Sequence, residues 1–375
     1  MRKVLVTGGA GFIGCHIVEL LLQEGVEVCV LDSLSPQIHP RGNPGRHFQP
    51  LLPHLKFIRG DIRDDGCLDA ALDGVDAIVH LAAETGTGQS MYEISRYVSV
   101  NELGTARLLE KMAAHQAVEK LVIGSSRAVY GEGKFRCPAH GIYYPKGRSE
   151  QKLAEGFFEL YCPDCEEELL PLATDEDAPV NPKSVYGLTK FGQESLCLQF
   201  GNTFHTPVVA LRYQNVYGPG QSLANPYTGI LAIFSTRFRM GKEVLVFEDG
   251  LESRDFVYVS DVAQATVGAL KSEAAKGEVL NIGTGLPVSV MSVAEKLRAL
   301  INPQGGIRVT GQYRVGDIRH NFADSTKAQR LLEFVPQIDF DEGLQLFVDW
   351  VLGSEMGEDR LQASLEELQA RGLLK

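Results

Sequence analysis

The first 32 residues constrain the fold more than any other part of this chain of 375. A short apolar run is followed by Gly8, Gly11 and Gly14, by an amphipathic stretch over 12–24, and by a second apolar run that ends at Asp32. Glycines at this spacing let the backbone turn tightly and approach a pyrophosphate, while the next helix directs its N-terminal N–H groups at the phosphates. The pattern predicts a strand, a phosphate-binding loop and a helix.

The acidic residue that closes the second strand indicates which dinucleotide is bound. Asp32 lies 18 residues beyond Gly14, where a carboxylate accepts hydrogen bonds from the ribose hydroxyls and repels a 2′-phosphate. We therefore expect NAD rather than NADP as the cofactor. A glycine-rich turn without any ligand is the alternative, which the preceding strand and the following helix disfavour.

Strand patterns and helix patterns alternate along the N-terminal part of the chain. The predicted strands cover 3–6, 27–31, 56–59, 77–81, 120–123 and 208–211, and the predicted helices cover 12–24, 67–72, 97–115 and 184–200. This alternation predicts an α/β fold with a doubly wound parallel sheet of the Rossmann type. We expect the Rossmann domain at 1–217, with a helix and strand return at 183–212. A smaller mixed α/β substrate-binding lobe follows at 218–375, and its C-terminal helix is expected to pack on the body of the protein.

The alternation fails at about 132–180, which indicates an inserted segment. Cys137 and His140 form a C-x2-H pair there, and Cys162 and Cys165 form a C-x2-C pair within the same 29-residue window. Four such ligands predict a closed, structural zinc site that replaces a missing apolar core. Incidental loop thiols are the alternative. The remaining four cysteines have apolar neighbours and are expected in the core: Cys15, Cys29, Cys67 and Cys197.

A tyrosine and a lysine share one helical face at Tyr186 and Lys190. A free tyrosine titrates near pH 10, and an ammonium group one turn away favours its phenolate, so Tyr186 is a candidate general base. Taken alone, the pair is more often a surface pair than a catalytic one. Its combination with the glycine loop, and with Ser126 after the fifth strand, favours a catalytic role.

Together these residues resemble the extended short-chain dehydrogenase/reductases that act on nucleotide sugars, and the resemblance covers nearly the whole chain. Further matching positions are Asp61–Ile62, His80–Ala83, Asn101 with Gly104 and Thr105, Arg212–Asn215, and Arg254–Phe256. The resemblance implies that Ser126, Tyr186 and Lys190 are catalytic. The NAD-binding positions that it implies are Gly8, Gly11, Phe12, Ile13, Gly14, Asp32, Asp61, Ile62, Leu81, Ala82, Ala83, Asn101, Tyr186, Lys190 and Tyr213. The implied substrate-binding positions are Ser126, Arg127, Asn215, Arg254, Arg314 and Asp317, with Arg319 as a further phosphate candidate.

The resemblance also indicates a reaction. Sugar-nucleotide 4,6-dehydratases carry an Asp-Glu pair directly after the Ser/Thr position, whereas this chain has Arg127 and Ala128 there. The stretch 212–230, together with the Cys/His insertion, is similar to the dTDP-L-rhamnose 4-epimerases, although Gln214 stands where an aromatic residue is common. We expect an NAD-dependent 4-epimerase that oxidises a dTDP-6-deoxyhexose transiently at C4. The alternatives are a nucleotide-sugar reductase, dehydrogenase or dehydratase, and a non-catalytic NAD-binding regulator.

Composition narrows the remaining possibilities. The 36 basic and 48 acidic residues give a net charge of −12, which repels phosphate backbones and anionic lipids, so we expect neither nucleic acid nor a membrane as partner. Apolar runs stop well short of the roughly 20 residues that span a bilayer. An odd count of seven cysteines is typical of a reduced, cytoplasmic protein. The resemblance further implies a homodimer.

Overall fold

A computed structural model describes residues 1–39, 42–115, 117–223, 225, 227, 229–355 and 359–375. The strands are β1 (Lys3–Thr7), β2 (Glu27–Asp32), β3 (Lys56–Arg59), β4 (Ala77–His80), β5 (Lys120–Ser126), β6 (Lys134–Cys137), β7 (Gly141–Tyr143), β8 (Leu170–Leu172), β9 (Val208–Tyr213), β10 (Asn215–Tyr217), β11 (Val244–Val246), β12 (Ser253–Tyr258), β13 (Val279–Ile282), β14 (Pro287–Ser289), β15 (Ile307–Val309) and β16 (His320–Asn321). The helices are α1 (Phe12–Gln23), α2 (Asp65–Leu72), α3 (Thr87–Ser90), α4 (Ile94–Tyr97), α5 (Gly104–His115), α6 (Glu150–Ala154), α7 (Val185–Phe204), α8 (Ile230–Arg239), α9 (Val259–Lys271), α10 (Val290–Ile301), α11 (Thr326–Leu332), α12 (Phe340–Gly353) and α13 (Leu361–Ala370).

The central feature is a seven-stranded sheet in the order β13-β9-β5-β4-β1-β2-β3. Every neighbouring pair in it is parallel, which confirms the predicted Rossmann-like α/β fold. The chain order reverses between β1 and β4. In sheets of this type a crevice opens at the carboxyl ends of the strands at that reversal, which is where ligands bind.

Alternate side chains of the central strands build two cores, one on each face of the sheet. Val4 and Val6 pack in one core with Ile17 of α1, while Leu5 packs in the other with Ile78 of β4. All five side chains are fully buried. Burial of each is worth about 1.5–3 kcal/mol, so the apolar runs that predicted these strands also stabilise both layers.

The division expected at residue 217 does not follow the sheets. β13 pairs in parallel with β9 and completes the main sheet, so the chain returns to the Rossmann layer after the lobe has begun. Residues 262–270 of α9 belong to the same core as α1. Strand pairing of this kind depends on hydrogen bonds between distant segments. Local sequence patterns do not indicate which distant segments pair.

The C-terminal lobe is mixed α/β. β12 lies between β10 and β14, with β16 also pairing β12, and β11 pairs separately with β15. Apolar side chains of α8, α10 and α12 pack together against these strands. The last helix, α13, packs on this body through its buried leucines, as expected. The chain ends beside 313–315, where Leu373 and Lys375 form backbone hydrogen bonds.

The segment at 132–180 contains a small antiparallel sheet in which β6 lies between β7 and β8. Its buried core consists of Phe135, Leu160 and Leu169 with two of the cysteines. None of the described helices has both the length and the apolar character that a bilayer crossing requires.

Candidate functional site

A cavity of about 1010 Å³ lies where the carboxyl ends of the parallel strands face the C-terminal lobe. Its wall contains every predicted catalytic, cofactor-binding and substrate-binding residue of the sequence analysis except Asn101 and Arg319. Of the Asn225–Gly229 stretch, Tyr227 and Gly229 line it, whereas Pro226 and Thr228 lie outside the described residues. The predicted positions therefore converge on one site.

The glycine loop forms one half of the cavity and leaves no room for side chains. Gly8 has a φ of +70°, and a Cβ there would lie 2.9 Å from the backbone nitrogen of Ala82. A Cβ on Gly14 would lie 2.5 Å from the Gly8 carbonyl oxygen. α1 follows with Gly11 as its N-cap and without a side-chain cap, so its first N–H groups remain free for an anionic ligand.

Asp32 stands at the end of β2 in the same half, with its side chain largely buried. Its two carboxylate oxygens accept hydrogen bonds from the backbone N–H groups of Ala10, at 3.0 Å, and Leu34, at 2.8 Å. Burial raises the pKa of Asp32, and these hydrogen bonds oppose that rise. The carboxylate is thus anchored to the glycine loop at the place where a ribose is expected.

The catalytic candidates come from β5 and α7. Ser126 is the last residue of β5, and Tyr186 lies in the first turn of α7, one turn before Lys190. The Ser184 hydroxyl caps α7 by accepting from the backbone of Gly187 at 3.1 Å. This cap fixes the start of the helix, so the strand end and the first turn present their side chains to the same cavity.

The electrostatics of this trio differ from the expectation. Lys190 donates to Gln193 Oε1 at 2.7 Å, and burial lowers the pKa of its ammonium group to about 8. Burial raises the pKa of Tyr186, while its hydrogen bond with Ser126 and the charge of Arg127 lower it. Ser126 and Arg127, and not Lys190, are the groups that lower the pKa of Tyr186, and the Lys190 side chain is directed to a glutamine within its own helix.

Asn101 is the one predicted cofactor position that does not line the cavity. Its side chain is fully buried, accepts from the backbone N–H of Glu84 at 2.7 Å, and donates to the Glu84 carbonyl and to Thr189. Glu84 itself lies in the cavity wall. Asn101 thus ties a wall segment to α7 instead of facing a ligand, because it lies in a π-helical turn packed against α7.

The other half of the cavity is lined by Arg127, Arg254 and Arg314 together with Asp317. Arg254 Nη2 donates to Asp317 Oδ1 at 3.1 Å. Its two Nη groups also donate to the backbone carbonyls of residues 253, 318 and 319. Arg254 is consequently held by four hydrogen bonds, one of which joins it to the carboxylate of Asp317.

This half carries a positive balance. Burial and, to a smaller extent, the positive charge of Arg254 lower the pKa of Arg127 to about 9. Burial raises the pKa of Glu252, which also lines the cavity near Arg254, to about 7. A partly protonated carboxyl and crowded guanidinium groups together favour an anionic ligand, since its charge relieves their mutual repulsion.

The comparisons with known proteins agree with this geometry. Residues 4–147 and 159–283 match the family described as the NAD dependent epimerase/dehydratase family. The chain belongs to that family. A dTDP-L-rhamnose 4-epimerase of Burkholderia thailandensis is 40% identical over 360 residues, which cover 93% of this chain and 95% of that protein. The predicted membership of the extended short-chain dehydrogenase/reductases is thereby confirmed.

Solved structures of family members share the fold over their whole length. The UDP-glucuronic acid 4-epimerase of Bacillus cereus, in complex with UDP-glucuronic acid and NAD, has a TM-score of 0.77 and 28% identity, covering 94% of this chain and 99% of that one. The UDP-glucose 4-epimerase of Thermotoga maritima, solved with UDP-glucose, has a TM-score of 0.76 and 29% identity, with the same coverage. These relatives are nucleotide-sugar 4-epimerases, which are isomerases.

Relative to the sequence-based expectation, the structure of this family member adds cavity residues from the last helix. Leu361, Ser364, Leu365 and Leu368 of α13 all line the wall. The helical spacing of the leucines was visible in the sequence, but the surface on which they pack was not. Arg319 was wrongly expected near the phosphates, because its side chain is fully buried against carboxylates behind the wall.

Several buried polar atoms in the wall have no hydrogen-bond partner within the described part of the chain. They include both amide atoms of Gln214, Oδ1 of Asn215 and Nε of Arg314. Buried polar groups in folded proteins are nearly always paired, so unpaired ones around a cavity indicate positions for ligand groups. The guanidinium of Arg314 lies 4.5 Å from the ring centre of Phe247, which gives this end an aromatic surface.

The four Cys/His residues of the insertion also meet. Their ligand atoms all lie within 4.8 Å of one another. Cys137 Sγ is 3.5 Å from Cys165 Sγ and 3.4 Å from His140 Nδ1, and Cys162 Sγ is 3.4 Å from the same nitrogen. Such separations are too long for disulfides. Elsewhere Cys15, Cys29 and Cys197 are buried as predicted, whereas Cys67 is half-buried at the edge of a core.

Proposed function

We propose that this protein is an NAD-dependent nucleotide-sugar 4-epimerase, with a dTDP-6-deoxyhexose such as dTDP-L-rhamnose as its substrate. The observation that carries the proposal is that Ser126, Tyr186 and Lys190 share one cavity with a wall of arginines. The 40% identity with a dTDP-L-rhamnose 4-epimerase supports the choice of nucleotide and sugar.

The glycine loop fits NAD, because a Cβ at Gly8 or Gly14 would close the space beside the start of α1. In the proposal the N–H groups of Phe12 and Ile13, at the start of α1, hold the pyrophosphate. When bound, NAD supplies the two-electron redox chemistry at the sugar carbon. The other positions proposed to contact it are Asp32 at the adenosine ribose, Asp61 and Ile62 at the adenine, Leu81, Ala82, Ala83 and Tyr213 along the cofactor, and Lys190 at the nicotinamide ribose.

The protein's own part in the reaction is to move a proton and to orient the sugar. Tyr186 removes the proton from the C4 hydroxyl during oxidation and returns it during reduction, and Ser126 holds that oxygen by a hydrogen bond. Arg127 stabilises the tyrosinate, since its charge already lowers the pKa of Tyr186 in the ligand-free state. Epimerisation then requires the 4-keto sugar to present its opposite face within the closed cavity.

Arg254 and Arg314 are proposed to bind the diphosphate, with Asn215 and Asp317 contacting the rest of the nucleotide. Charged hydrogen bonds to phosphate oxygens are among the strongest that side chains make. The buried, unpaired Nε of Arg314 and Oδ1 of Asn215 supply free hydrogen-bonding capacity for this purpose.

Dehydration is disfavoured by the residues that follow Ser126. Elimination of water across C5 and C6 requires an acid and a base beside the sugar, and in this chain those two positions are Arg127 and Ala128. A reductase or dehydrogenase would use the same trio but would consume the cofactor. Whether NAD is consumed therefore distinguishes an epimerase from a reductase or dehydrogenase.

The proposal includes a structural zinc ion held by Cys137, His140, Cys162 and Cys165. A tetrahedral zinc with sulfur at about 2.3 Å and nitrogen at about 2.0 Å brings its ligand atoms about 3.5–3.8 Å apart. Three of the six separations are 3.4–3.5 Å, near the lower end of this range, and all six lie within 4.8 Å. Four protein ligands leave no position open for a substrate, so the role is structural.

The test of the main proposal is a substrate panel. Purified enzyme is incubated with dTDP-L-rhamnose, UDP-glucose and UDP-glucuronic acid, and the products are separated by chromatography. We expect interconversion of dTDP-L-rhamnose with its C4 epimer, without net absorbance change at the NADH wavelength, and NAD recovered from the denatured protein. Tyr186→Phe is expected to keep its NAD and lose activity by a factor of about 10²–10⁴. Full activity in that variant would refute the assigned base. Light scattering tests the predicted homodimer.

A further inference from the structure

We propose that the metal-bound insertion is a positioning element, which holds Arg254 and Asp317 in place for the nucleotide sugar. The inference rests on the proposed function, because the metal is inferred to keep the substrate-binding half of that active site in position. The ion is zinc, and the ligand whose binding depends on the zinc is the nucleotide diphosphate.

The ligands join two separate segments of the insertion. Cys137 ends β6 and His140 lies in the turn to β7, while Cys162 and Cys165 lie in a separate turn. That turn is closed by backbone hydrogen bonds between Leu160 and Leu169 and between residues 162 and 167. Two of the five buried core residues of the insertion are themselves ligands. A bound ion therefore adds to a small core that contains only three buried apolar side chains besides the cysteines.

The second ligand pair is directly connected to a buried charge network. Glu159, three residues before Cys162, accepts from Arg319 Nε at 2.8 Å and from Arg319 Nη2 at 2.5 Å. The Arg319 side chain is completely buried and also donates to Asp249 at 2.7 Å and 2.8 Å. A buried arginine keeps its position only while its carboxylate partners remain, so Glu159 fixes Arg319 from the insertion side.

A second connection comes from the opposite end of the insertion. Glu132 Oε2 accepts from the backbone N–H of Arg319 at 2.8 Å. Arg148, whose side chain is also buried, donates to the Asp317 carbonyl at 3.0 Å and to Glu248 at 2.8 Å. The insertion therefore binds the segment 317–319 through hydrogen bonds to its backbone and through an ion pair with the Arg319 side chain.

That segment carries the cavity wall. Arg254 Nη1 donates to the Arg319 carbonyl at 2.9 Å, and Arg254 Nη2 donates to the Ile318 carbonyl at 2.7 Å and to the Asp317 carboxylate at 3.1 Å. A shift of 317–319 therefore moves the guanidinium proposed to bind the diphosphate. The glycine loop and Asp32 belong to the seven-stranded sheet, which the three strands of the insertion do not join. Loss of the metal should therefore weaken binding of the nucleotide sugar and leave binding of NAD unchanged.

The experiment compares the full-length protein as purified, the same protein after chelation with 1,10-phenanthroline, and the variants Cys162→Ser, Glu159→Gln and Cys67→Ser. Zinc is measured by mass spectrometry, NAD by release from denatured protein, and binding of dTDP and UDP by calorimetry. We expect about one zinc per chain in the purified protein. Chelation and Cys162→Ser should weaken dTDP binding tenfold or more, with NAD content unchanged. Glu159→Gln should keep its zinc and show a loss in the same direction.

Cys67→Ser is the matched control, because Cys67 is half-buried but distant in sequence from the insertion, and it should change neither zinc nor nucleotide binding. Less than about 0.2 zinc per chain in the purified protein overturns the metal site, since structural zinc sites bind tightly. Zinc-free protein and Glu159→Gln protein that both bind dTDP within twofold of the original overturn the positioning role. If Cys162→Ser does not fold, chelation and Glu159→Gln report on the same connection.

With the sugar substrate, the positioning role predicts a raised KM with kcat changed less than threefold, whereas general unfolding lowers kcat and NAD content together. Metal content and nucleotide binding do not depend on turnover. Failure of every sugar to react, with these two results intact, would therefore refute the proposed function and leave this inference standing. A purified protein that binds neither dTDP nor UDP would overturn the inference.

Discussion

Replacing Arg254 by methionine tests the charge arrangement of the substrate half most directly. The substitution keeps an unbranched side chain but removes the guanidinium that lines the cavity and pairs with Asp317. The charged hydrogen bond lost to a diphosphate is worth about 1.5–3 kcal/mol. Asp317, left without its partner, adds about 1 kcal/mol of repulsion, a small amount because its side chain is 40% exposed and solvent screens it. The sum of about 3 kcal/mol corresponds to a Kd raised roughly 150-fold.

The assay is calorimetric titration of dTDP and UDP into NAD-loaded protein, with Arg308→Met as the control. Arg308 is an exposed arginine that pairs with Glu243 away from the cavity, so its loss should change Kd less than twofold. The double variant Arg254→Met with Asp317→Asn should recover about 1 kcal/mol, or roughly fivefold, because the repelling charge is then removed. A single variant within threefold of the original protein would refute the assignment of Arg254. No recovery in the double variant would refute the role given to Asp317.

Three further changes test other parts of the structure. Gly14→Ala places a methyl group 2.5 Å from a loop carbonyl oxygen, so it should reduce the NAD retained by the protein at gel filtration tenfold or more. Gly268 has open space around it, so Gly268→Ala should not change NAD retention. Burial lowers the pKa of His80 to about 3, so below pH 6.5 the unfolded chain takes a proton that the folded protein refuses. The free energy of unfolding should then fall by about 1.4 kcal/mol per pH unit toward pH 3, and denaturant titrations of His80→Gln should show a slope shallower by that amount. Leu365→Asp introduces a charge into the apolar contact of the last helix. It should increase protease cleavage within α13 and weaken dTDP binding tenfold, while the exposed Ala363→Asp should do neither.

The elements that the sequence predicts correctly are those marked by patterns among residues close together in the chain. The strands at 3–7, 27–32, 77–80 and 120–126 differ from the predicted runs by at most three residues at their ends. Their side chains are buried on both faces, so an uninterrupted apolar run was a sufficient indicator. The spacing of Gly8 and Gly14 was informative for a related reason, since a Cβ on Gly14 would lie 2.5 Å from the Gly8 carbonyl oxygen, only six positions away.

The predictions that were wrong concern which neighbour a side chain meets. Lys190 was expected to act on Tyr186 but bonds to Gln193, and Asn101 was expected at the cofactor but holds the backbone of Glu84. Arg319 was considered for phosphate binding, yet it is buried behind the wall. In each case the residue type was compatible with both positions, and the decision came from packing between distant segments.

The amino-acid sequence by itself determined the Rossmann-like layers, the glycine loop, the catalytic trio as a set of candidates, and the spacing of four metal-ligand residues. Backbone hydrogen bonding, helical periodicity and the size of a missing side chain act locally, so they can be recognised along the chain. Only the tertiary structure decided that β13 completes the first sheet, that α13 lines the cavity, and that the insertion grips residues 317–319. The strand pairing and the insertion contacts join residues between 69 and 187 positions apart, because burial and charge pairing act between surfaces that folding alone brings together.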